Sequence, residues 1–160
     1  MKKLIFLLFF SLTTCLSVLA CSCSKVGKLT KRDLADGEVT FVGRVIEVTY
    51  LDDYTMKTSF RLEENLTNEP LGQIFEVWSA RDCEPDFISG DQWYIFTYVY
   101  DGKHWSGLCS RSAQLTDRVI PENPYKEKYR RQAQRRFNQN QRRAVKEIKQ
   151  MRKLKARNPR

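Results

Sequence analysis

The stretch VTFVGRVIEVTY, Val39 to Tyr50, decides the fold class. β-Branched and aromatic residues fill it, and its single glycine, Gly43, stands where a strand can bend or bulge. Working outward, Leu51-Asp52-Asp53 reads as a hairpin turn. Beyond it Met56, Thr58, Phe60 and Leu62 alternate with Thr55, Lys57, Ser59 and Arg61, the period of a half-buried strand. Ile74 to Trp78 and WYIFTYVY, Trp93 to Tyr100, supply two more apolar strands, the second entered through a turn at Ser89-Gly90-Asp91. Asp101-Gly102 is a hairpin signal that leads into a fifth strand through His104 and Trp105 towards Cys109. Five short strands joined by turns predict a mainly β protein, a small closed or nearly closed five-stranded barrel. Thr30 to Asp36 is expected to form a brief helix ended by Gly37.

The two ends differ from this middle. Met1, Lys2 and Lys3 give a basic start, and Leu4 to Leu19 is an apolar run broken by Ser11, Thr13, Thr14 and Ser17. Val18-Leu19-Ala20 then puts small or compact residues where a signal peptidase reads. The run is shorter than the ~20 residues that cross a bilayer. Residues 1–20 are therefore read as a signal peptide, and Cys21 as the first residue of a secreted or periplasmic chain. Val18-Leu19-Ala20-Cys21 also resembles a lipobox, which would leave the protein lipid-anchored at Cys21 with three remaining cysteines. Four cysteines that can pair fit simple cleavage better in an oxidising compartment.

Charge divides the mature sequence. The whole chain carries 28 Lys and Arg against 19 Asp and Glu, a net of +9. Residues 21–120 hold 11 basic and 16 acidic residues, whereas residues 121–160 hold 15 and 3. The basic balance thus belongs to the tail, and the chain is read as a β domain over 21–120 followed by a separate tail over 121–160.

Cys21-Ser22-Cys23 at a new amino terminus, Phe41-Val42-Gly43-Arg44-Val45, Cys83, Gly90 leading to Trp93-Tyr94-Ile95-Phe96, and Cys109 followed by Arg111 and Leu115 resemble the netrin-type (NTR) module of the tissue inhibitors of metalloproteinases (TIMPs), in its short bacterial form. The resemblance implies a five-stranded OB-type barrel with disulfides Cys21–Cys83 and Cys23–Cys109. It also implies an inhibitory wedge formed by Cys21, Ser22, Cys23 and Ser24 beside Asp82. In that family the α-amino nitrogen and carbonyl oxygen of the first cysteine chelate the catalytic zinc of a target metalloproteinase, and the second residue enters the specificity pocket. Here Cys21 would hold that zinc, and only in trans. The chemistry is sound, because a catalytic zinc keeps one position for water, and a neutral amine with an adjacent carbonyl can displace it. Arg81 and Asp82 depart from the small or apolar residues usual beside the wedge, and Asp82 would be repelled by a protease's catalytic glutamate.

The four mature cysteines lack a second close pair, so no structural metal and no cofactor is expected. His104 is the only histidine, and with the cysteines able to pair no Cys–His nucleophile is expected, so the chain reads as a non-enzyme. Trp93, Tyr94, Phe96, Tyr98 and Tyr100 read as barrel core and hairpin face, although OB surfaces can bind polymers.

The tail opens on Asn123-Pro124, a helix start, and runs without Gly or Pro to Pro159. At 100° per residue, Tyr129, Ala133, Phe137, Ala144, Ile148, Met151 and Leu154 fall within an arc of roughly 120°, with most basic residues opposite. This predicts a long basic amphipathic α-helix. Its apolar stripe either packs on the barrel or serves, with Arg130, Arg131, Arg135, Arg136, Arg142, Arg143, Lys149 and Lys153, to hold an anionic membrane or envelope polymer. Nucleic acid ranks below these partners, because export separates the chain from it. The two functional readings are a zinc-peptidase inhibitor and a non-inhibitory envelope-binding module.

Overall fold

The computed structural model describes residues 27–29, 38–80, 85–107, 109–117 and 127–157, the side chains of 127–130 excepted. Seven strands form one sheet: β1 (Thr40–Tyr50), β2 (Thr55–Asn65), β3 (Ile74–Ala80), β4 (Gln92–Phe96), β5 (Tyr98–Tyr100), β6 (Lys103–Trp105) and β7 (Ala113–Gln114). A single helix among the described residues, α1 (Glu127–Arg157), follows. The signal segment, the predicted Thr30 to Asp36 helix and the Asn123-Pro124 helix start lie outside the described residues.

The sheet order is β5-β6-β3-β2-β1-β4-β7. β1, β2 and β3 are consecutive antiparallel neighbours, and β4 returns to lie beside β1, the connectivity of a Greek key. β6 then runs parallel to β3, meeting it at Trp78 and Trp105. The predicted closed five-stranded barrel is not what forms; the sheet is a curled, open half-barrel. Two physical features separate expectation from result. WYIFTYVY is not one strand but two, because Thr97 breaks it. The buried Thr97 hydroxyl accepts from the Val39 amide (3.1 Å) and donates to the Val39 carbonyl (3.0 Å), so the chain leaves β1 and passes to β6. Pairing between β3 and β6 is confined to one residue pair, Trp78 with Trp105, with the Ser106 amide donating to the Trp78 carbonyl (2.9 Å), too little to zip a barrel shut.

Turn chemistry follows the sequence closely. Asp101 and Gly102 adopt φ of 50° and 67°, the two positive values a type I′ hairpin turn requires. At the β1–β2 turn the Tyr54 amide donates to the Asp52 carboxylate (2.7 Å). Gly43 lies at an irregularity between β1 and β2, where the register shifts between Val42 and Gly43. A Cβ there would sit 2.8 Å from the Phe41 ring and 3.0 Å from the Arg61 carbonyl, which explains why the strand carries no side chain at that point.

Alternation along the strands builds two cores. The inner one contains Val39, Phe41, Val45, Met56, Phe60, Val77, Phe87, Trp93 and Ile95. Its rings meet edge-on, as in Phe41–Phe60 at 5.6 Å and Phe87–Trp93 at 4.7 Å. The opposite face of β1 and β4 presents Val42, Tyr94 and Phe96 to a second core that takes in Leu29, Leu66 and Ala113 and, from α1, Ala144, Ile148 and Met151. β4 is covered on both faces, which is why it reads as an unbroken apolar run rather than an alternating one. Burying Ile148 and Met151 contributes roughly 3–6 kcal/mol to docking the helix.

Candidate functional site

α1 is docked by its second half. Hydrogen bonds from this half to the body of the fold include Gln141 Nε2 to the Leu115 carbonyl (2.8 Å), Gln150 Nε2 to the Leu29 carbonyl (3.3 Å) and Lys155 Nζ to the Asn65 carbonyl (2.8 Å). Arg152 makes a forked pair with Glu64, at 2.7 and 2.6 Å, and holds the Glu64 carboxyl below its usual pKa. Towards the other end Ala133 is exposed and Phe137 only half-buried. The predicted apolar stripe is thus real, and its C-terminal part, Ala144, Ile148 and Met151, is the part that packs.

At the centre of the docked half lies a buried polar latch. Glu147 falls inside the apolar arc of the helix and is only 6% exposed. Its Oε1 is 3.0 Å from Arg111 Nη1, and its Oε2 accepts from the Tyr94 hydroxyl at 3.3 Å. Burial, and next the Glu147 carboxylate, push the Tyr94 phenol pKa well above its ordinary value. Arg111 is also buried, and its guanidinium lies 5.8 Å from the centre of the Phe96 ring.

Arg111 reaches one segment further. Nη1 donates to the Gly27 carbonyl and Nη2 to the Lys28 carbonyl, both at 3.0 Å. With Gln150 on the Leu29 carbonyl and the Leu29 side chain in the outer core, three consecutive residues are gripped a few positions beyond Cys21-Ser22-Cys23. Between this strap and α1 runs an open groove of about 690 Å³. Lys28, Arg142, Arg143 and Lys146 line it, and the one carboxylate in its wall, Glu147, is matched by Arg111.

The predicted site residues divide between what is described and what is not. Cys21, Ser22, Cys23, Ser24, Asp82 and Cys83 lie outside the described residues. Cys109 is disulfide-bonded, and every other cysteine lies outside the described residues, so its pairing stays with the resemblance. Of the predicted anion-binding residues, Arg131, Arg135, Arg136, Arg142, Lys149 and Lys153 are exposed. The Arg130 side chain lies outside the described set. Arg143 is half-buried, and its Nη2 donates to the Arg111 carbonyl at 3.4 Å. On the helical wheel Arg131, Arg135, Arg142, Lys149 and Lys153 fall within an arc of about 60° diametrically opposite the buried face. Lys146, not among the predicted anion-binding residues, joins them, and the same periodicity places it there. The stripe is about 33 Å long.

Arg111 and Glu147 were also missed as partners. The signal was present on the helix side: an acidic residue inside an apolar arc needs a buried partner. His104, by contrast, is a packing residue. Its ring lies 5.0 Å from Phe75, its Nδ1 is 3.3 Å from the Thr97 hydroxyl, and burial lowers its pKa below 6.5, with Glu69 opposing. Among the described residues no three His, Cys, Asp or Glu side chains gather as metal ligands, and no helix is long and apolar enough to cross a membrane. No family model and no curated protein matches the chain.

Proposed function

We propose that the protein is an exported, TIMP-like module whose mature amino terminus, beginning at Cys21, blocks zinc metalloproteinases by chelating their catalytic metal. The observation that carries this reading is the grip on Gly27, Lys28 and Leu29 by Arg111, Gln150 and the outer core. A chelating terminus binds well only if it is ordered before it meets the target, since ordering a free tail at that moment consumes the gain. The Greek-key connectivity of the curled sheet supports the OB-type part of the proposal, because the OB-fold is itself a partly open Greek-key barrel. The test compares chains starting at Cys21 with chains carrying one extra alanine before it, against a panel of zinc peptidases. Inhibition by the first and not the second is expected. Equal behaviour of the two forms overturns the mechanism.

A second reading has its own observation. The stripe of Arg131, Arg135, Arg142, Lys146, Lys149 and Lys153 faces away from the sheet, in the place a helix would use to lie on an anionic membrane or envelope polymer. Deleting residues 121–160 does not test it cleanly, since that would strip Ala144, Ile148 and Met151 from the outer core. Neutralising the stripe with glutamine does. Retention on anionic vesicles that survives neutralisation excludes this reading.

A further inference from the structure

We propose that the outer face of the sheet at β3, β6 and β5 is a binding platform for a sparsely acidic polysaccharide, one in which uronate groups are spaced among neutral sugars. The register builds an aromatic row across the strands: Lys57 is paired with Trp78, Trp78 with Trp105, and Trp105 with Tyr98. The alternate residues Met56, Thr58, Val77 and Ser79 are buried, so this row is the outward one. Neighbouring strands stand about 4.8 Å apart, which sets the rings at close, regular intervals over about 10 Å. Tyr100 extends the row.

Trp105 and Tyr100 are held rather than loose. Trp105 Nε1 donates to the Tyr100 carbonyl at 3.1 Å, and the two rings meet edge-on at 6.2 Å and 77°. The Asp101-Gly102 turn fixes the hairpin that carries them. Yet Tyr98 and Tyr100 remain 48% and 67% exposed. Rings that are ordered and left open to water are configured for stacking against a partner.

The charge on the face selects the partner. Lys103 and Lys57 lie over the Trp78 ring at 5.6 and 6.0 Å. Lys57 is matched by Glu76 at 2.7 Å, whereas among the described residues Lys103 has no carboxylate partner. The platform therefore offers several apolar ring faces and one uncompensated cation. A single-stranded nucleic acid brings a phosphate with every unit, and its binders line the track with positive charge. A protein strand adding to the edge would find in β5 only three residues to pair with. A glycan presents the C–H faces of its sugars to the rings and an occasional carboxylate to Lys103, which matches both counts. No residue of the platform belongs to the helical stripe or the amino-terminal strap.

The experiment uses the mature chain with the six stripe residues changed to glutamine, so that α1 contributes no general polyanion affinity. Tryptophan fluorescence is titrated with hyaluronan oligosaccharides, a neutral glucan oligosaccharide and an oligothymidylate. Saturable binding of hyaluronan is expected. Tyr98→Ala with Tyr100→Ala should weaken it at least about tenfold, equivalent to ~1.4 kcal/mol, while the variant still unfolds cooperatively in urea with a midpoint lowered only by the lost Tyr100–Trp105 ring contact. Lys103→Gln should weaken hyaluronan and leave the neutral glucan unaffected. The proposal is overturned by absent saturation with hyaluronan, by tighter binding of the oligothymidylate, or by a Tyr98/Tyr100 double variant that binds as the parent does.

Discussion

Replacing Arg111 with methionine should destabilise the protein more than replacing Glu147 with glutamine, although the two residues face each other across one 3.0 Å contact. The difference follows from what each change leaves behind. Without the guanidinium, Glu147 stays in the outer core with only the Tyr94 hydroxyl at 3.3 Å, and the Gly27 and Lys28 carbonyls lose their donor. Stranding one member of a buried pair costs about 3–5 kcal/mol. Glu147→Gln keeps an oxygen that can accept from Arg111, and Arg111 keeps both carbonyls, so only the charge assistance is lost, about 1–2 kcal/mol.

The double variant Arg111→Met with Glu147→Met removes both buried charges at once. It should lose about 2 kcal/mol less than the two single-methionine changes added together, because neither stranded ion remains. It does not recover fully, since the strap carbonyls still lack Arg111. Urea unfolding at neutral pH reads these differences as midpoint shifts at constant slope. Hydrogen exchange at Leu29 supplies a local readout: protection should fall in the Arg111 variant and persist in Glu147→Gln. A Glu147→Gln chain as unstable as Arg111→Met, or strict additivity in the double, would refute the latch as a unit.

The other expectations rest on separate observations. Gly43→Ala should cost about 1–3 kcal/mol in the same unfolding assay, because the new methyl meets the packed Phe41 ring at 2.8 Å and backbone on the other side. Stability should fall as pH drops through about 6.5, because burial disfavours charged His104 in the folded chain while the unfolded chain takes up the proton; His104→Gln should flatten that slope. Glu64, whose pKa is lowered by Arg152, adds its own loss only below the ordinary carboxylate value of 4.5, so the two effects separate on a pH series. Changing the six stripe residues to glutamine should shift the unfolding midpoint little, since they are exposed, yet reduce partition onto anionic vesicles more than a hundredfold at about 1 kcal/mol per cation.

The parts of this fold that are local in sequence were legible, and the parts that depend on distant pairing were not. Val39 to Tyr50 and the Asp101-Gly102 turn carry their reason within a few residues, and Gly43 does so in part, through Phe41 two positions before it, the rest coming from the Arg61 carbonyl on β2. The break at Thr97 does not: a threonine between aromatic residues looks like strand, and only the Val39 backbone, 58 positions away, turns its hydroxyl into a terminator. β7 has two residues, Ala113 and Gln114, too few to show any period, and it exists because Trp93 and Tyr94 offer it an edge. At the candidate site the helical cations were legible because periodicity sorts them. The latch was hidden, since Arg111 and Glu147 are 36 residues apart and charged residues read as surface until their partner is known.

The helix resolves a conflict that its composition sets up. A segment so rich in Lys and Arg should resist burial, and yet it carries part of the outer core. The conflict disappears once the cations are sorted by angle. Arg143, Arg152 and Lys155, beside the buried face, are used on Arg111, Glu64 and Asn65, so they dock the helix. Arg135, Arg142, Lys146, Lys149 and Lys153 stand exposed on the far side, while the apolar contacts and the buried latch dock the helix. Surface binding and helix docking should therefore respond differently to salt. Ionic strength screens the exposed stripe within a Debye length of about 8 Å at 0.15 M and far less at 1 M, while a latch with side chains 10% and 8% exposed is shielded from it. A helix held on mainly by its exposed charges would lose both properties together, and only the angular division of its cations predicts that they come apart.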